Sequence, residues 1–331
     1  MKHLPLRSVS FRLCRSRRSG GFTLLEVLMA AGAAVVVAGG VYVLTQAGMI
    51  VGVKSLAINA TGSAARSSID RAQRYIQLAY ETPTLINSNG VTVSGTGPAA
   101  GIRFYRYMGG PYVIKLPTAG LSGTTKTLTV VCDSTAHVPP PKPEPYDAFV
   151  INTTILMSGS ANQVTAYVAA GNSVVSSTNG NRITHTVTLA DKLTGDGGST
   201  GFIAADAGIV TAILIRPTAL VVKPTATGRE LRLFESFPKG STVDVNGKHA
   251  VLTNQLSLPT YDSTPSATDA MTDANAKPFW VQTLNHKTFV YTDLRIRDSR
   301  YGKYLNTRQV DEFATFAQLQ SRIPTKCNPN E

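Results

Sequence analysis

The pattern of apolar and polar positions divides the chain into a long helical part and a strand-rich part. No charged residue occurs from Val27 to Val53, and this run is longer than the roughly 20 residues that a helix needs to cross a bilayer. Beyond Lys54 apolar residues recur at alternating spacings of four and three, as one face of a helix requires: Ala65, Ile69, Ala72, Ile76 and Ala79. The pattern predicts one helix from about Thr23 to Tyr80.

Short runs of β-branched and aromatic residues follow Pro83, separated by Gly, Ser and Thr, which is typical of strands. The runs Gly101–Tyr107 and Tyr112–Leu116 flank Met108–Pro111 and predict a hairpin. Further strands are predicted at Thr127–Cys132, Gln163–Val168, Ile183–Leu189, Ile209–Ile215, Glu230–Phe234, Phe279–Leu284 and Thr288–Ile296. The predicted fold class is α+β: a long N-terminal helix, transmembrane in its first half and amphipathic in its second, packed on a C-terminal, mainly antiparallel β-sheet domain.

Three segments follow from this pattern: a basic leader over residues 1–21, the hydrophobic and amphipathic helix over 22–82, and a β-rich globular domain over 83–331. Within the third segment, Pro139–Pro145 predicts an extended polyproline stretch, either a loop across the surface or a spacer between two parts of the domain. Ser257–Lys277, which is rich in Ser, Thr, Asp and Ala, predicts a second long loop.

The net charge of +12, from 32 basic and 20 acidic residues, suggests a nucleic-acid or membrane-surface partner until the positions of the charges are considered. Six basic residues and no acidic residue precede Gly21: Lys2, Arg7, Arg12, Arg15, Arg17 and Arg18. The remainder carries 26 basic and 20 acidic residues, a net charge of +6. The basic leader would stay on the cytoplasmic side of a membrane and send the chain after Lys54 to the other side.

The junction between the leader and the apolar run has an unusual composition. A secretory signal would have an apolar core of roughly 7–15 residues. Here the apolar core is much longer, and the pair Gly20-Gly21 precedes it. Glycine allows the backbone to extend into a protease without side-chain clashes. Glu26 lies at the edge of the apolar run, where an ionisable group is costly and by default functional. Cleavage after Gly21 would provide its partner, the α-amino group of Phe22, in the same chain or in a neighbouring one.

The segment Gly21-Phe22-Thr23-Leu24-Leu25-Glu26, between the basic leader and the apolar helix, resembles the N-terminal signature of the type IV pilin and type II secretion pseudopilin superfamily. The resemblance covers about the first fifth of the chain. It implies cleavage by a prepilin peptidase between Gly21 and Phe22, N-methylation of Phe22, and a role for Glu26 in docking subunits during assembly. The helix-breaking proline that this family often has further along the helix is absent.

A protein of this kind is a structural subunit of a type IV pilus or of a type II secretion pseudopilus. The implied partners are prepilin peptidase, other pilin or pseudopilin subunits and an inner-membrane assembly platform. The implied location is the inner membrane, crossed once, with a cytoplasmic N-terminus and a periplasmic C-terminal domain before assembly into a filament. Because residues 83–331 exceed what a major pilin usually carries, the chain looks most similar to a minor subunit of the J-type pseudopilins or the W-type pilins.

Signatures of catalysis, cofactor binding and metal binding are missing from the sequence. It contains no HExxH, GxSxG or GxxxxGK[ST] motif and no CxxC pair. We therefore expect no enzyme activity, no cofactor and no metal site. The loop Thr194–Gly201 could offer oxygens to a calcium ion, but its one acidic residue is too few, and a flexible turn is the preferred interpretation. A membrane-anchored enzyme would instead require a pocket with convergent, pKa-shifted residues.

The sequence does not decide whether two of the three cysteines form a disulfide. Cys14 lies in the leader, so Cys132 and Cys327 remain in the processed chain. In a domain outside the cytoplasm they would either form one disulfide, worth about 4–5 kcal/mol in the chain-entropy model, or remain two unpaired thiols.

A second functional hypothesis comes from a stretch near the C-terminus. Four basic residues interleave there with two tyrosines: Arg295, Arg297, Arg300 and Lys303 with Tyr301 and Tyr304. This mixture suits phosphate contact and base stacking, so the chain would be a DNA-binding or adhesive module displayed on a filament. Asp293 and Asp298 lie among these residues and favour a solvated sheet edge or a subunit contact instead.

Overall fold

The computed structural model describes residues 22–95, 97–133, 140–153, 163–191, 193–195, 203, 209–225, 228–240, 242–256, 277–284, 287–296 and 311–318. The chain divides into two compact units, with the boundary between Ser55 and Leu56. The first unit contains the larger part of one helix, α1 (Leu24–Gln77), and the second contains the end of that helix and the strands. A long, apolar N-terminal helix and a mainly antiparallel C-terminal sheet confirm the predicted α+β class.

The strands of the described residues are joined in antiparallel pairs and match most of the predicted positions. They are β1 (Thr84–Ile86), β2 (Gly101–Ile114), β3 (Thr127–Asp133), β4 (Ala148–Thr153), β5 (Gln163–Tyr167), β6 (Val174–Asn179), β7 (Arg182–Thr188), β8 (Thr194–Gly195), β9 (Val210–Thr225), β10 (Gly228–Glu235), β11 (Ala250–Leu256), β12 (Phe279–Leu284), β13 (Lys287–Ile296) and β14 (Asp311–Gln318). The main differences are that β9 is much longer than predicted and that β1, β4, β6, β8, β11 and β14 were not expected.

Two long central strands, β2 and β9, organise the sheet. Its main path runs in the order β12, β13, β11, β10, β9, β2, β3, β7 and β6. Strand β9 pairs with β2 along one edge, while its other edge pairs first with β4 and then with β10. Every residue of β9 from 214 to 222 is buried, as expected for a central strand covered on both faces.

The long strands β2 and β9 both contribute to the two largest hydrophobic cores of the described residues. The first core contains Phe104 of β2 and Leu220 of β9, together with residues of α1, β10, β12 and β13. The second core contains Tyr112 of β2 and Leu214 of β9, together with residues of β3, β4, β5 and β7. The same two strands therefore belong to the packing of both cores.

The end of α1 packs on the first core through one apolar face. Four of the residues predicted for this face are buried there: Ile69, Ala72, Ile76 and Ala79. The side chain of the fifth, Ala65, lies outside the described part. The helix ends at Gln77, earlier than predicted, because the chain then extends along β2, where the backbone N–H of Tyr80 donates to the carbonyl of Tyr105 at 2.6 Å.

The predicted hairpin at Met108–Pro111 is wrong, because β2 continues through this segment. Strand β9 stays paired with β2 on both sides of it, with a shift of register at Gly109. An added Cβ at Gly109 would lie 2.8 Å from Cδ of Pro141, so this glycine makes room for the polyproline segment rather than for a turn. The described part of that segment, residues 140–145, is irregular and runs as a loop against β2.

Two other predicted loops fall largely outside the described residues. Of Ser257–Lys277 only Lys277 is described, so its assignment as a loop stays a prediction. Of Thr194–Gly201 the first two residues form β8, which pairs with β5. These two residues therefore belong to the sheet, and not to a flexible turn.

A buried ion pair lies where β9 passes from one core to the other. The guanidinium of Arg216 donates to both carboxylate oxygens of Asp147, at 2.8 and 2.9 Å, and lies 3.2 Å from the carboxylate of Glu144. Arg216 is 7% exposed and Asp147 0% exposed, so water solvates neither charge well. Burial alone would lower the pKa of Arg216, but the hydrogen bonds and charge of Asp147, with the charges of Glu144 and Glu235, raise it. The guanidinium therefore stays charged.

Replacing Arg216 by methionine should lower the free energy of unfolding by about 3–5 kcal/mol, because Asp147 would remain as an uncompensated buried charge. Denaturant unfolding of the full chain in detergent micelles, followed by near-UV circular dichroism, measures the change. Arg232→Met is the matched control: Arg232 pairs with Glu230 on the same strand, at 2.8 Å, and this pair is more exposed than that of Arg216 and Asp147, so its loss should cost less. Equal losses in the two variants would contradict the role assigned to the buried pair.

Candidate functional site

Helix α1 begins close behind the predicted cleavage position, and side chains close its first turn. Thr23 precedes the first helical residue, Leu24, and Glu26 is the third helical residue. The hydroxyl oxygen of Thr23 accepts a hydrogen bond from the backbone N–H of Glu26 at 3.3 Å. In return, a carboxylate oxygen of Glu26 accepts from the backbone N–H of Thr23 at 3.1 Å and from its hydroxyl at 3.2 Å. This reciprocal arrangement is a capping box.

The capping box decides where the carboxylate of Glu26 points. The first N–H groups of a helix have no partner within the helix, and these two side chains provide acceptors at its start. A negative charge at this end also interacts favourably with the helix dipole, by about 0.3–1 kcal/mol. Glu26 is therefore held back toward Thr23, the residue that directly follows Phe22.

The apolar side chains of the first unit are exposed around the whole helix. Phe22 is 83% exposed and Val36 is 75% exposed, and every residue from 22 to 52 is exposed. An 18-residue window of α1 has a mean hydropathy of 2.3, and none of that window is buried. By length and composition this helix is able to cross a membrane.

Five glycines lie in the apolar part of α1: Gly32, Gly39, Gly40, Gly48 and Gly52. An added Cβ at any of them would meet nothing within 4 Å, so no contact within the described residues requires glycine there. Glycine destabilises a helix by roughly 0.5–1 kcal/mol relative to alanine, while small residues allow the backbone of another helix to approach closely. These positions therefore suit contacts with other helices.

Several predicted site residues fall outside the described part of the chain: Gly21, Cys327, Arg297, Arg300 and Lys303. Arg295 is described at the end of β13, where its backbone stands opposite Glu312 of β14. The cleavage position, the disulfide and the nucleic-acid contact therefore stay predictions. Over the described ranges, no group of three or more His, Cys, Asp and Glu side chains could hold a metal ion.

Cys132 is buried in the second core beside His185. Its Sγ lies 3.9 Å from Nε2 of His185, whose Nδ1 lies 2.8 Å from Oγ of Ser176. The order of these groups is that of a thiol nucleophile with a base and a third, orienting residue. However, burial raises the pKa of the thiol and lowers the pKa of the imidazole. Both groups are therefore held neutral, and we interpret the arrangement as the satisfaction of a buried histidine.

Thr23 is a site residue that the cleavage motif alone does not distinguish from its neighbours. A signal for it exists, because a Thr followed three residues later by Glu, just before an apolar run, is the pattern of a capping box. The same residues also fit the processing motif, which gives Thr23 no structural role. The contacts between Thr23 and Glu26 supply that role.

Replacing Thr23 by valine should loosen the first turn of α1, because the methyl group that takes the place of the hydroxyl forms no hydrogen bond. Loss of such a cap costs about 1 kcal/mol, which is roughly a fivefold change in the opening equilibrium. Hydrogen exchange of the first helical amides in the micelle-embedded chain measures it, and Thr23→Ser should exchange like the parent. Thr45→Val is the control, since Thr45 donates to the carbonyl of Val41 in mid-helix. Equal exchange in both valine variants would contradict the capping role.

No protein-family model, curated protein or solved structure matches this chain. The functional interpretation therefore rests on the residues and contacts of the chain itself. They are the segment from Gly21 to Glu26, the capping box of Thr23 and Glu26, and the exposed apolar helix that follows.

Proposed function

We propose that the chain is a structural subunit of a type IV pilus or a type II secretion pseudopilus, processed by a prepilin peptidase. The observation that carries this function is the segment Gly21–Glu26 at the head of a helix whose apolar residues are exposed on every side as far as Gly52. An exposed apolar helix alone fits any membrane anchor. The carboxylate at its start needs a partner, and a processed pilin N-terminus provides one.

The precursor would cross the inner membrane once, with its N-terminus in the cytoplasm. Six basic residues precede Gly21 and no acidic residue does, which favours retention of the leader on the cytoplasmic side. The charge-free run Val27–Val53 would span the hydrocarbon region, and Lys54 would lie beyond it. This orientation sends the β-rich part into the periplasm.

Cleavage between Gly21 and Phe22 would create a positive charge beside the capping box. The carboxylate of Glu26 accepts from the backbone N–H of Thr23 at 3.1 Å, one residue from the new α-amino group, so an acceptor is already in place. N-methylation of Phe22 would leave that charge on the nitrogen. An ion pair between Glu26 and the amine, in the same chain or a neighbouring one, would neutralise both groups as the helix leaves lipid for a helical bundle.

The size of the β-rich part favours a minor subunit over a major one. Its two largest hydrophobic cores are joined by β2 and β9, and together they exceed the small globular part that a major pilin usually carries. In a J-type or W-type role the subunit would occupy few positions in the filament, where it primes assembly or lies near the tip. Its partners would be prepilin peptidase, the other subunits and the inner-membrane assembly platform.

Co-expression with a prepilin peptidase should yield a mature chain that begins at Phe22. N-terminal sequencing and intact mass measure the loss of the leader and the addition of a methyl group. Gly21→Leu should remain uncut, because a side chain at this position obstructs the extended backbone in the protease. An uncut parent chain, in cells where a control prepilin is processed, would overturn the proposed function.

The variants Glu26→Gln and Glu26→Ala distinguish the charge of Glu26 from its part in the capping box. Glutamine retains the capping box, since its amide oxygen accepts from the N–H of Thr23, but it carries no charge. We expect both variants to be cut and to reduce incorporation into filaments by about tenfold or more, because the Phe22 amine loses its counter-charge. Sheared filament fractions, quantified by immunoblot, give the measurement.

Asp70→Asn is the matched control for these variants, because it removes an exposed carboxylate from the same helix. It should assemble like the parent. If Glu26→Gln also assembles like the parent while Glu26→Ala does not, the carboxylate acts only through the capping box. That result would contradict charge pairing with the amine of Phe22.

A further inference from the structure

Strand β6 ends the main path of the sheet, and over the described ranges it pairs with β7 alone. The ladder between the two strands runs without a shift of register from Val174 opposite Val187 to Asn179 opposite Arg182. The residues from 175 to 179 are all exposed, and Val175 is 67% exposed. Within the described part of the chain, one long edge of β6 is therefore open to solvent.

The register decides which backbone groups lie at this open edge. Directly before β6, the backbone N–H of Thr188 donates to the carbonyl of Ser173 at 2.7 Å, so the backbone groups of Ser173 face β7. Successive residues of a strand turn their N–H and C=O groups to opposite edges, so the odd-numbered residues of β6 face β7 and the even-numbered ones face away. The even-numbered residues are Val174, Ser176 and Thr178. Each of them places one donor and one acceptor along the open edge.

The open edge carries none of the features that usually prevent strands from pairing between chains. Proteins protect such edges with lysine, proline or a bulge, but the sequence of β6, VVSSTN, contains no charged residue and no proline, and its ladder has no bulge. The side chain of Ser176 is fixed to the sheet, because its Oγ lies 2.8 Å from Nδ1 of the buried His185. The edge is therefore held in an extended shape and has no charge that would repel a second strand.

We propose that β6 pairs with β6 of a second copy of this chain, antiparallel and with Ser176 of one copy opposite Ser176 of the other. The outward-facing residues are spaced evenly about Ser176, so the edge is complementary to itself, as a two-fold interface requires. Val174 then lies opposite Thr178 of the second copy. About six hydrogen bonds form, two for each directly opposed pair of outward-facing residues. This pairing does not depend on the proposed function.

The proposed register also sets the distances between side chains across the interface. Val175 of one copy lies opposite Ser177 of the other, in a pair whose Cα atoms are about 4.5 Å apart. That separation lies within the range for a disulfide. Residue 175 and its own counterpart lie on a diagonal of about 7–8 Å, which is too far for one. A pair of cysteines therefore reports this register and no other.

Cysteine cross-linking of the full chain tests the register, with detergent micelles in excess over chains and with Cys14→Ser and Cys327→Ser throughout. Cys132 is buried and stays. With oxidised glutathione, the double variant Val175→Cys and Ser177→Cys should form a covalent dimer on non-reducing gels. Each single variant should form about tenfold less, because its cysteines lie on the diagonal.

The matched control is the double variant Thr186→Cys and Thr188→Cys. These two positions are exposed as well, but they lie on β7, whose two edges are already paired with β3 and β6. The control should form no more dimer than the single variants. It measures the cross-linking that arises from random collisions of exposed cysteines.

Thr178→Pro tests the hydrogen bonds. It removes a backbone donor that faces the open edge and none that faces β7, so the fold should be retained, which near-UV circular dichroism checks. By symmetry the interface loses one hydrogen bond for each copy, and the dimer of the double variant at 175 and 177 should fall about tenfold.

Absence of the covalent dimer from the double variant at 175 and 177 would overturn the proposal, even if β6 were found to bind a strand of a different protein. Equal cross-linking in the single variants or in the β7 control would overturn it as well. An undiminished dimer after Thr178→Pro would contradict pairing through the backbone groups of the open edge.

Discussion

The apolar surface of the first unit cannot be solvated favourably by water, and this constraint dominates the behaviour of the chain. Its helical backbone satisfies its own hydrogen bonds, as a segment in lipid must, but its side chains find no cover among the described residues. Exposed apolar area costs about 25 cal/mol per Å². The second unit differs, because its apolar residues cover one another, most of them in two large cores. Within the described residues, the second unit therefore buries its own apolar side chains, while the apolar side chains of the first unit stay exposed.

The second unit has a constraint of its own at the centre of the sheet. Strands β2 and β9 take part in both cores, so the same pair of strands connects one core directly to the other. Arg216 lies on β9 at the point of transition, and Asp147, at the start of the segment that pairs with it, neutralises it. Removing one partner alone would leave the other as a buried charge without compensation, so the place where the two cores meet depends on both residues.

Patterns of neighbouring residues in the sequence predicted the elements that depend mainly on local interactions. The spacing of Ile69, Ala72 and Ile76 identified the packed face of α1, and Phe279–Leu284 was placed with the bounds that the structure has. The predictions that were wrong, and the features that were missed, depend on contacts between residues far apart in the sequence. The Gly-Gly-Pro sequence at 109–111 has the chemistry of a turn, but pairing with β9 and the approach of Pro141 keep it in a strand. The residues from Ala148 to Ile151 are buried without alternation, and the partner of Arg216 lies 69 residues away. The carboxylate at the head of the helix was predicted, whereas its partner Thr23 was not.

The capping box has a consequence for maturation. Both of its members, Thr23 and Glu26, lie on the C-terminal side of the predicted cut, and their contacts involve no residue of the leader. The start of the helix is therefore specified by residues that precursor and product share. Cleavage at the proposed position would therefore retain both members of the capping box and place a new positive charge one residue before Thr23.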